Sequence, residues 1–114
     1  MIHVPAERFE ELVGDALDSI PPDLGRLMEN VAVVVADRSS RPGLLGLYEG
    51  VPLTKRGNDY FGVMPDKITV FRASICAMCN SEEEVVEQVL ITVVHEVAHH
   101  FGIDDRRLHE LGWG

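Results

Sequence analysis

Three histidines and a glutamate lie close together near the end of this 114-residue chain, in the stretch HEVAHHFGIDD, residues 95–105. His95, Glu96 and His99 form the pattern HExxH. Side chains four residues apart on a helix stand one turn above each other, so both imidazoles can reach a single metal ion. Glu96 lies one step further round the helix, where its carboxylate can act as a general base toward a metal-activated water. The spacing therefore predicts a catalytic metal site.

A catalytic zinc ion usually has three protein ligands and one open position, so this pattern needs a third ligand. Gly102 can adopt a left-handed conformation that turns the chain sharply. Asp105, three residues later, can then turn back toward the ion, and we predict it as the third ligand. His109 is the main alternative, because it lies four residues after Asp105 and can share its helix face. Two imidazoles and one carboxylate would also suit other first-row metals.

One long helix is predicted to position these side chains, in residues 81–102. It begins with a capping-box pair, Ser81 and Glu84, and ends at Gly102. An apolar face covers much of its circumference, and a narrow polar ridge with Glu96 at its side lies opposite. The apolar face comprises Val86, Leu90, Val93, Val94, Val97 and Phe101, and the ridge comprises Gln88, Thr92, His95 and His99. A polar ridge on such a helix must meet water, a hydrogen-bond partner or a metal.

The remaining elements predict an α+β fold. Amphipathic spacing favours an N-terminal helix over residues 5–20, with a short helical turn after it. VAVVVA (31–36) and KITVFR (67–72) are typical of strands, and short strands fit LLGLYEG (44–50) and VPLT (51–54). ASICAMC starts a short helix, and Asp104 is expected to cap a last one. We therefore predict one domain over residues 1–114, with a small mixed sheet, a long active-site helix, an N-terminal helix and a short C-terminal helix.

Composition narrows the class of protein. The chain has 19 acidic and 10 basic residues and a net charge of −9, which disfavours nucleic-acid binding. Its apolar runs are too short to cross a membrane, and its N-terminus does not have the pattern of a secretory signal, so we expect a cytoplasmic protein without membrane contact. Cys76 and Cys79 form an isolated CxxC pair, which is best interpreted as two reduced, half-buried cysteines.

Several further side chains have weaker interpretations. His100 projects about 100° away from His99 and is expected to be a surface or interface residue. Tyr48 and Tyr60 could stabilise an oxyanion, but partial burial with a solvated hydroxyl is the favoured interpretation.

The motif HExxHxxGxxD resembles that of the zincin metallopeptidases, in the variant that has an aspartate, as in aspzincins, after the glycine turn. The chain is similar over nearly its whole length to small bacterial proteins described as minimal zincin domains. This resemblance implies that His95, His99 and Asp105 bind one Zn²⁺ ion and that Glu96 is general base and acid. It also implies that KITVFR is the edge strand that pairs with an extended peptide or protein substrate.

Two departures from the wider family leave an alternative open: the methionine turn is missing, and no second subdomain is expected to form the far wall of a substrate cleft. Metzincins have a methionine turn beneath the metal, and no methionine follows Met78 here. Trp113 could pack there instead, and Glu110 is the one residue that could act as a more distant glutamate ligand. The alternative to a zinc metallopeptidase is therefore a binding or regulatory module that captures a peptide by its edge strand. A purely structural zinc site is less favoured, because such sites usually have four ligands and prefer cysteine.

Overall fold

The computed structural model of the protein describes residues 1–50 and 65–110, except for the side chain of Asp105. Within these ranges it contains five helices and a three-stranded mixed sheet, which confirms the α+β class. In chain order the elements are α1 (Ala6–Asp18), α2 (Pro22–Leu27), β1 (Val31–Ala36), β2 (Gly46–Glu49), β3 (Asp66–Phe71), α3 (Arg72–Met78), α4 (Glu82–His100) and α5 (Asp105–Glu110). The possible strand at 51–54 lies outside the described residues.

The sheet has the order β1-β3-β2, with β3 in the middle. β1 runs parallel to β3, with Val31 beside Asp66, and β2 runs antiparallel to it, with Gly46 beside Val70. The prediction that KITVFR is the edge strand is therefore wrong. Both edges of β3 are paired and five of its six residues are buried, which is typical of a central strand. Among the described strands it is β2 that forms the edge beside α4.

The principal core lies between α1, the sheet and one side of α4. Apolar spacing in each element makes this possible, because every third or fourth helical residue and most residues of β3 face the same space. Its fully buried side chains include Phe9, Ile68, Val70, Val85, Val89, Val93 and Val97. A smaller cluster of Leu24, Val94, Ala98 and Leu108 attaches α2 and α5 to another side of α4. Burial on several sides therefore fixes α4 in place.

Local capping defines both ends of α4, as its sequence predicts. The Ser81 hydroxyl accepts a hydrogen bond from the Glu84 amide at 3.1 Å. At the other end, the Ile103 amide donates to the Ala98 carbonyl (2.7 Å) and the Gly102 amide to that of His99 (3.3 Å). These two bonds form a Schellman motif, which requires the left-handed backbone of Gly102, whose φ is +76°.

The short helix α5 follows this turn directly. The Asp104 carboxylate accepts a hydrogen bond from the Arg107 amide at 2.8 Å, so Asp104 caps the helix as predicted. Leu108 is fully buried and anchors α5 against α4. Asp105 is therefore the first residue of a helix that is fixed beside the end of α4.

Several residues of α4 differ from the predicted helical faces; Val85 and Val89, which the predicted apolar face omits, are fully buried. Phe101 was expected on the apolar face but is 43% exposed, because the helix ends at His100 and Phe101 belongs to the turn. Thr92 of the polar ridge is buried because β2 covers it, and its hydroxyl has the hydrogen-bond partner that the ridge requires, the Gln88 carbonyl at 2.8 Å. No helix in residues 1–50 and 65–110 is long and apolar enough to cross a membrane. The cytoplasmic location and the single domain over residues 1–114 stay predictions.

Candidate metal and catalytic site

His95 and His99 lie one helical turn apart near the end of α4, with ring centroids 6.2 Å apart. His95 is half-buried and His99 is exposed. The Nδ1 atom of His95 lies 2.9 Å from the Ile91 carbonyl oxygen. Because a carbonyl oxygen can only accept, Nδ1 must carry the proton, and the neutral ring then presents its Nε2 lone pair. This is the tautomer that metal-binding histidines adopt when a backbone carbonyl orients them.

Glu96 is half-buried between α4 and the edge strand. One oxygen of its carboxylate accepts a hydrogen bond from the backbone amide of Tyr48 on β2, at 3.1 Å. Within the described part of the chain, no hydrogen bond involves the second oxygen. The carboxylate is thus fixed at one oxygen and can accept a proton at the other, as a general base requires.

Gly46 allows the edge strand to approach α4 this closely. A Cβ atom at Gly46 would lie 2.6 Å from Cγ2 of Thr92, 3.2 Å from the Thr69 carbonyl oxygen and 3.8 Å from Cγ of Glu96. Any larger residue would therefore push β2 away from α4 or displace Thr92. The glycine brings the Tyr48 amide within reach of Glu96.

An open groove of about 420 Å³ runs along α4 toward the N-terminal side of His95. One wall is the segment that leads into β2, and the other is the exposed side of α4. Most of its surface is apolar, and its lining residues are Gly43, Leu44, Leu45, Gly46, Gln88, Ile91, Thr92, His95 and Glu96. The groove is the space beside Glu96 in which an extended chain could lie along β2.

A second polar cluster lies on the other side of Tyr48. The Tyr48 hydroxyl donates to the carboxylate of Asp66 at 2.7 Å. The rings of Tyr48 and His100 stack with centroids 3.9 Å apart, and Nε2 of His100 lies 3.8 Å from Asp66. Asp66 is 7% exposed, at the start of the central strand. The expected partial burial of Tyr48 is confirmed, but its hydroxyl is bonded to a buried carboxylate where a solvated hydroxyl was expected. Tyr60 lies outside the described residues.

The described residues do not test the third metal ligand. Among them, no group of three His, Cys, Asp or Glu side chains is placed to hold a metal ion, and the side chain of Asp105 is not one of those described. His109 is exposed on α5, and Glu110 forms an ion pair with Arg107 at 3.2 Å. Asp105 therefore stays the predicted third ligand, with His109 as its alternative. Trp113 lies outside the described residues.

The two cysteines belong to a different region. Cys76 and Cys79 are free and buried, and Cys76 lines a pocket with the N-terminal residues and Arg72. Burial raises the pKa of both thiols. A buried thiol with a raised pKa is a poor nucleophile, so the pair fits the interpretation as apolar packing residues, more buried than expected.

Sequence reasoning missed three residues of this site. A glycine inside a short strand, Gly46 in GLYE, is a general signal of close backbone approach. Asp66 at the start of a central strand is a buried acid that needs a partner. Tyr48 was considered for its hydroxyl, whereas its backbone amide contacts Glu96; no side-chain pattern reveals which amides of an edge strand face a helix.

The HExxH helix, the mixed sheet beside it and the glycine turn after it define a small zincin-like α+β domain. The family model described as zincin-like metallopeptidase matches residues 28–113, and the chain belongs to this family. The structure is similar to that of a conserved hypothetical protein from T. thermophilus, with 26% identity, a TM-score of 0.56, and coverage of 86% of this chain and 94% of that one. The search of curated proteins gave no match. The family gives the chain a metallopeptidase-type fold.

Proposed function

We propose that the protein is a zinc-dependent metallopeptidase whose general base is Glu96. The observation that carries the proposal is the arrangement at the end of α4. His95 presents Nε2, His99 stands one turn away, and Glu96 lies between the helix and an edge strand. The residues fit a zinc ion, since two imidazoles and a carboxylate form a common ligand set.

His95, His99 and Asp105 would hold the ion. When bound, zinc would polarise the carbonyl of the scissile bond and make a water molecule more acidic. Glu96 would take a proton at the carboxylate oxygen that Tyr48 leaves available and would return it to the leaving amine. The hydrogen bond from the Tyr48 amide restricts this side chain before substrate arrives.

The edge strand that would pair with a substrate is β2, whereas the sequence led us to expect KITVFR. Successive residues of an antiparallel strand direct their backbone groups to opposite sides. Leu45 accepts a hydrogen bond from β3, whereas the Tyr48 amide faces Glu96. An extended peptide that paired with the outer side of β2 would therefore lie over Glu96 and along the apolar groove.

The same geometry supports a second candidate, a module that binds a peptide without efficient cleavage. The amide of Tyr48 is a backbone donor that an added strand would use, and Glu96 already occupies it. A peptide that took this amide would displace the carboxylate from its only described partner. Such a protein would capture chains by strand addition while hydrolysing them slowly.

Elemental analysis of the desalted protein after incubation with zinc tests the metal site. We expect one zinc per chain in the parent protein and a loss of bound zinc in Asp105→Ala. The matched control is Asp104→Asn, which removes a neighbouring charge but preserves a capping side chain. A parent protein without zinc would refute the proposal, and retained zinc in Asp105→Ala would transfer the third-ligand role to another residue, with His109→Ala as the next variant.

Cleavage of a peptide mixture, followed by mass spectrometry, tests the catalytic role. The zinc-loaded parent protein should release fragments, and Glu96→Gln should retain zinc but lose at least about 100-fold in rate. Undiminished hydrolysis in that variant would overturn the role of Glu96. A zinc-loaded parent protein that binds peptides without cutting them would favour the binding module.

A further inference from the structure

Tyr48 is attached to its surroundings at three points. Its backbone amide donates to Glu96 at 3.1 Å, its hydroxyl donates to Asp66 at 2.7 Å, and its ring lies on His100 with an angle of 16° between the planes. One residue thus connects the carboxylate proposed as general base to a buried carboxylate on the central strand. No other described residue donates a backbone amide to the carboxylate of Glu96.

The edge strand needs such an anchor. β2 has four residues and, among the described strands, pairs only with β3. A short edge strand opens locally more easily than a central one. Asp66 belongs to β3, which is paired on both sides, so its carboxylate is a fixed acceptor. In the strand register Tyr48 lies opposite Ile68, and Asp66 is the diagonal neighbour two residues away.

The hydroxyl of Tyr48 is engaged by Asp66 and is not the group through which Tyr48 contacts the proposed chemistry. It has one proton, and that proton is donated to Asp66. An oxyanion would need the same donor. The contact that Tyr48 makes with the proposed chemistry is therefore its amide, which acts through Glu96.

We propose that Tyr48 is a positioning residue: its hydroxyl, bonded to Asp66, and its ring, stacked on His100, hold β2 in the place where its amide fixes the Glu96 carboxylate. This inference rests on the proposed peptidase function for its kinetic consequence. The geometric part is that the contact between the Tyr48 amide and Glu96 depends on the Tyr48 hydroxyl, and it does not depend on the proposed function.

Tyr48→Phe is the informative variant, because it removes the hydroxyl and retains the ring. The general base is then less often in position, while the apolar groove keeps its lining side chains, of which Tyr48 is not one. We expect kcat to fall about five- to tenfold and KM to stay within about twofold. Residue-resolved hydrogen exchange should show the amide of residue 48 exchanging at least about fivefold faster. Asp66→Asn, which retains an acceptor oxygen, should show a smaller fall in kcat.

Two further variants separate positioning from general loss of stability. Val13→Ala removes methyl groups from the side of the principal core beside β1, the other edge strand of the described sheet, and should leave kcat unchanged at a temperature where it is folded. Glu96→Ala removes the acceptor and should raise exchange at residue 48 as Tyr48→Phe does. Exchange at residue 48 that does not respond to Tyr48→Phe would overturn the proposal, and so would an unchanged kcat in an active enzyme.

The kinetic and exchange measurements also distinguish two kinds of failure. If the zinc-loaded parent protein cleaves no peptide, the proposed function fails. The exchange experiment then still decides whether the hydroxyl of Tyr48 holds its amide against Glu96. If the parent protein is active but Tyr48→Phe matches it in either measurement, the positioning role alone is refuted.

Discussion

The N-terminal and C-terminal halves of α4 share a buried side but differ in the polar groups that they present. In the N-terminal half, Val85 and Val89 are fully buried in the principal core, and Val93 and Val97 continue this buried side in the C-terminal half. In the C-terminal half, His95 and Glu96 are half-buried and are held by hydrogen bonds to Ile91 and Tyr48. The comparison teaches that burial fixes the helix along its whole length, while the C-terminal half also presents the polar groups proposed for the chemistry. Changes in the two halves should therefore affect stability and chemistry separately.

The largest expected effect is on metal binding, in the C-terminal half. His95→Ala should weaken zinc binding by more than about 100-fold, since loss of even an outer-shell partner costs about 10–100-fold. The free energy of unfolding of the metal-free protein should change by less than about 1 kcal/mol, because His95 is only half-buried. Competition with a zinc-binding dye and urea denaturation measure the two quantities. His100→Ala is the control, and equal zinc loss in it would contradict the assignment.

Val89→Ala should lower the free energy of unfolding and leave zinc affinity unchanged, the reverse of His95→Ala. It removes two methyl groups from a fully buried position in the N-terminal half. We expect a loss of roughly 2–3 kcal/mol in the free energy of unfolding, from lost burial and the cavity that remains. Zinc affinity at a temperature where the variant is folded should match that of the parent protein. Reduced zinc affinity under those conditions would show that the two halves are coupled.

Gly46→Ala tests the junction between the two halves, where β2 covers Thr92. The added Cβ would meet Cγ2 of Thr92 at 2.6 Å, so we expect a loss of about 1–3 kcal/mol from overpacking. Because Thr92→Ser removes that methyl group, the double variant should recover much of the loss. Urea denaturation of the four proteins in this cycle gives the coupling. Additive losses would mean that the added Cβ atom does not clash with Cγ2 of Thr92.

The smallest effect concerns charge at the start of α4. A hydrogen bond and the charge of Arg8 lower the pKa of Glu82 below its ordinary value of 4.5. A carboxylate with a lowered folded-state pKa adds stability that is present above its unfolded pKa and is lost as pH falls through the folded one. Arg8→Gln should raise the pKa of Glu82 in an NMR titration and slightly flatten acid unfolding. Both groups are exposed, so stability near neutral pH should barely change.

The sequence predicted the elements with strong local signals. Ser81, Gly102 and Asp104 each act where capping chemistry placed them, because a cap depends on residues within one turn. The long helix and the strands VAVVVA and KITVFR were confirmed for a similar reason, since periodic burial is encoded in neighbouring residues. The candidate pair His95 and His99 also follows from spacing on a single helix.

Contacts between distant segments were not predictable in the same way. The position of KITVFR in the sheet depends on which strands flank it. Val31 pairs with Asp66, far along the chain, and the alternation of side chains does not encode that pairing. The contact between Tyr48 and Glu96 spans 48 residues and involves a backbone amide, which every residue type except proline possesses. The exposure of Phe101 depended on the exact end of a helix.

The turn at Gly102 has a consequence for chirality. Its φ of +76° is unfavourable for L-amino acids, yet among the described residues, apart from the two chain neighbours, no atom lies within 4 Å of the position that a Cβ atom would take. Handedness, and not space, excludes other residues there. A D-alanine, for which this backbone region is the favoured one, would fit the turn and restrict the unfolded chain, whereas L-alanine would strain it. D-alanine would thus stabilise the turn that leads to Asp105, and L-alanine would destabilise it.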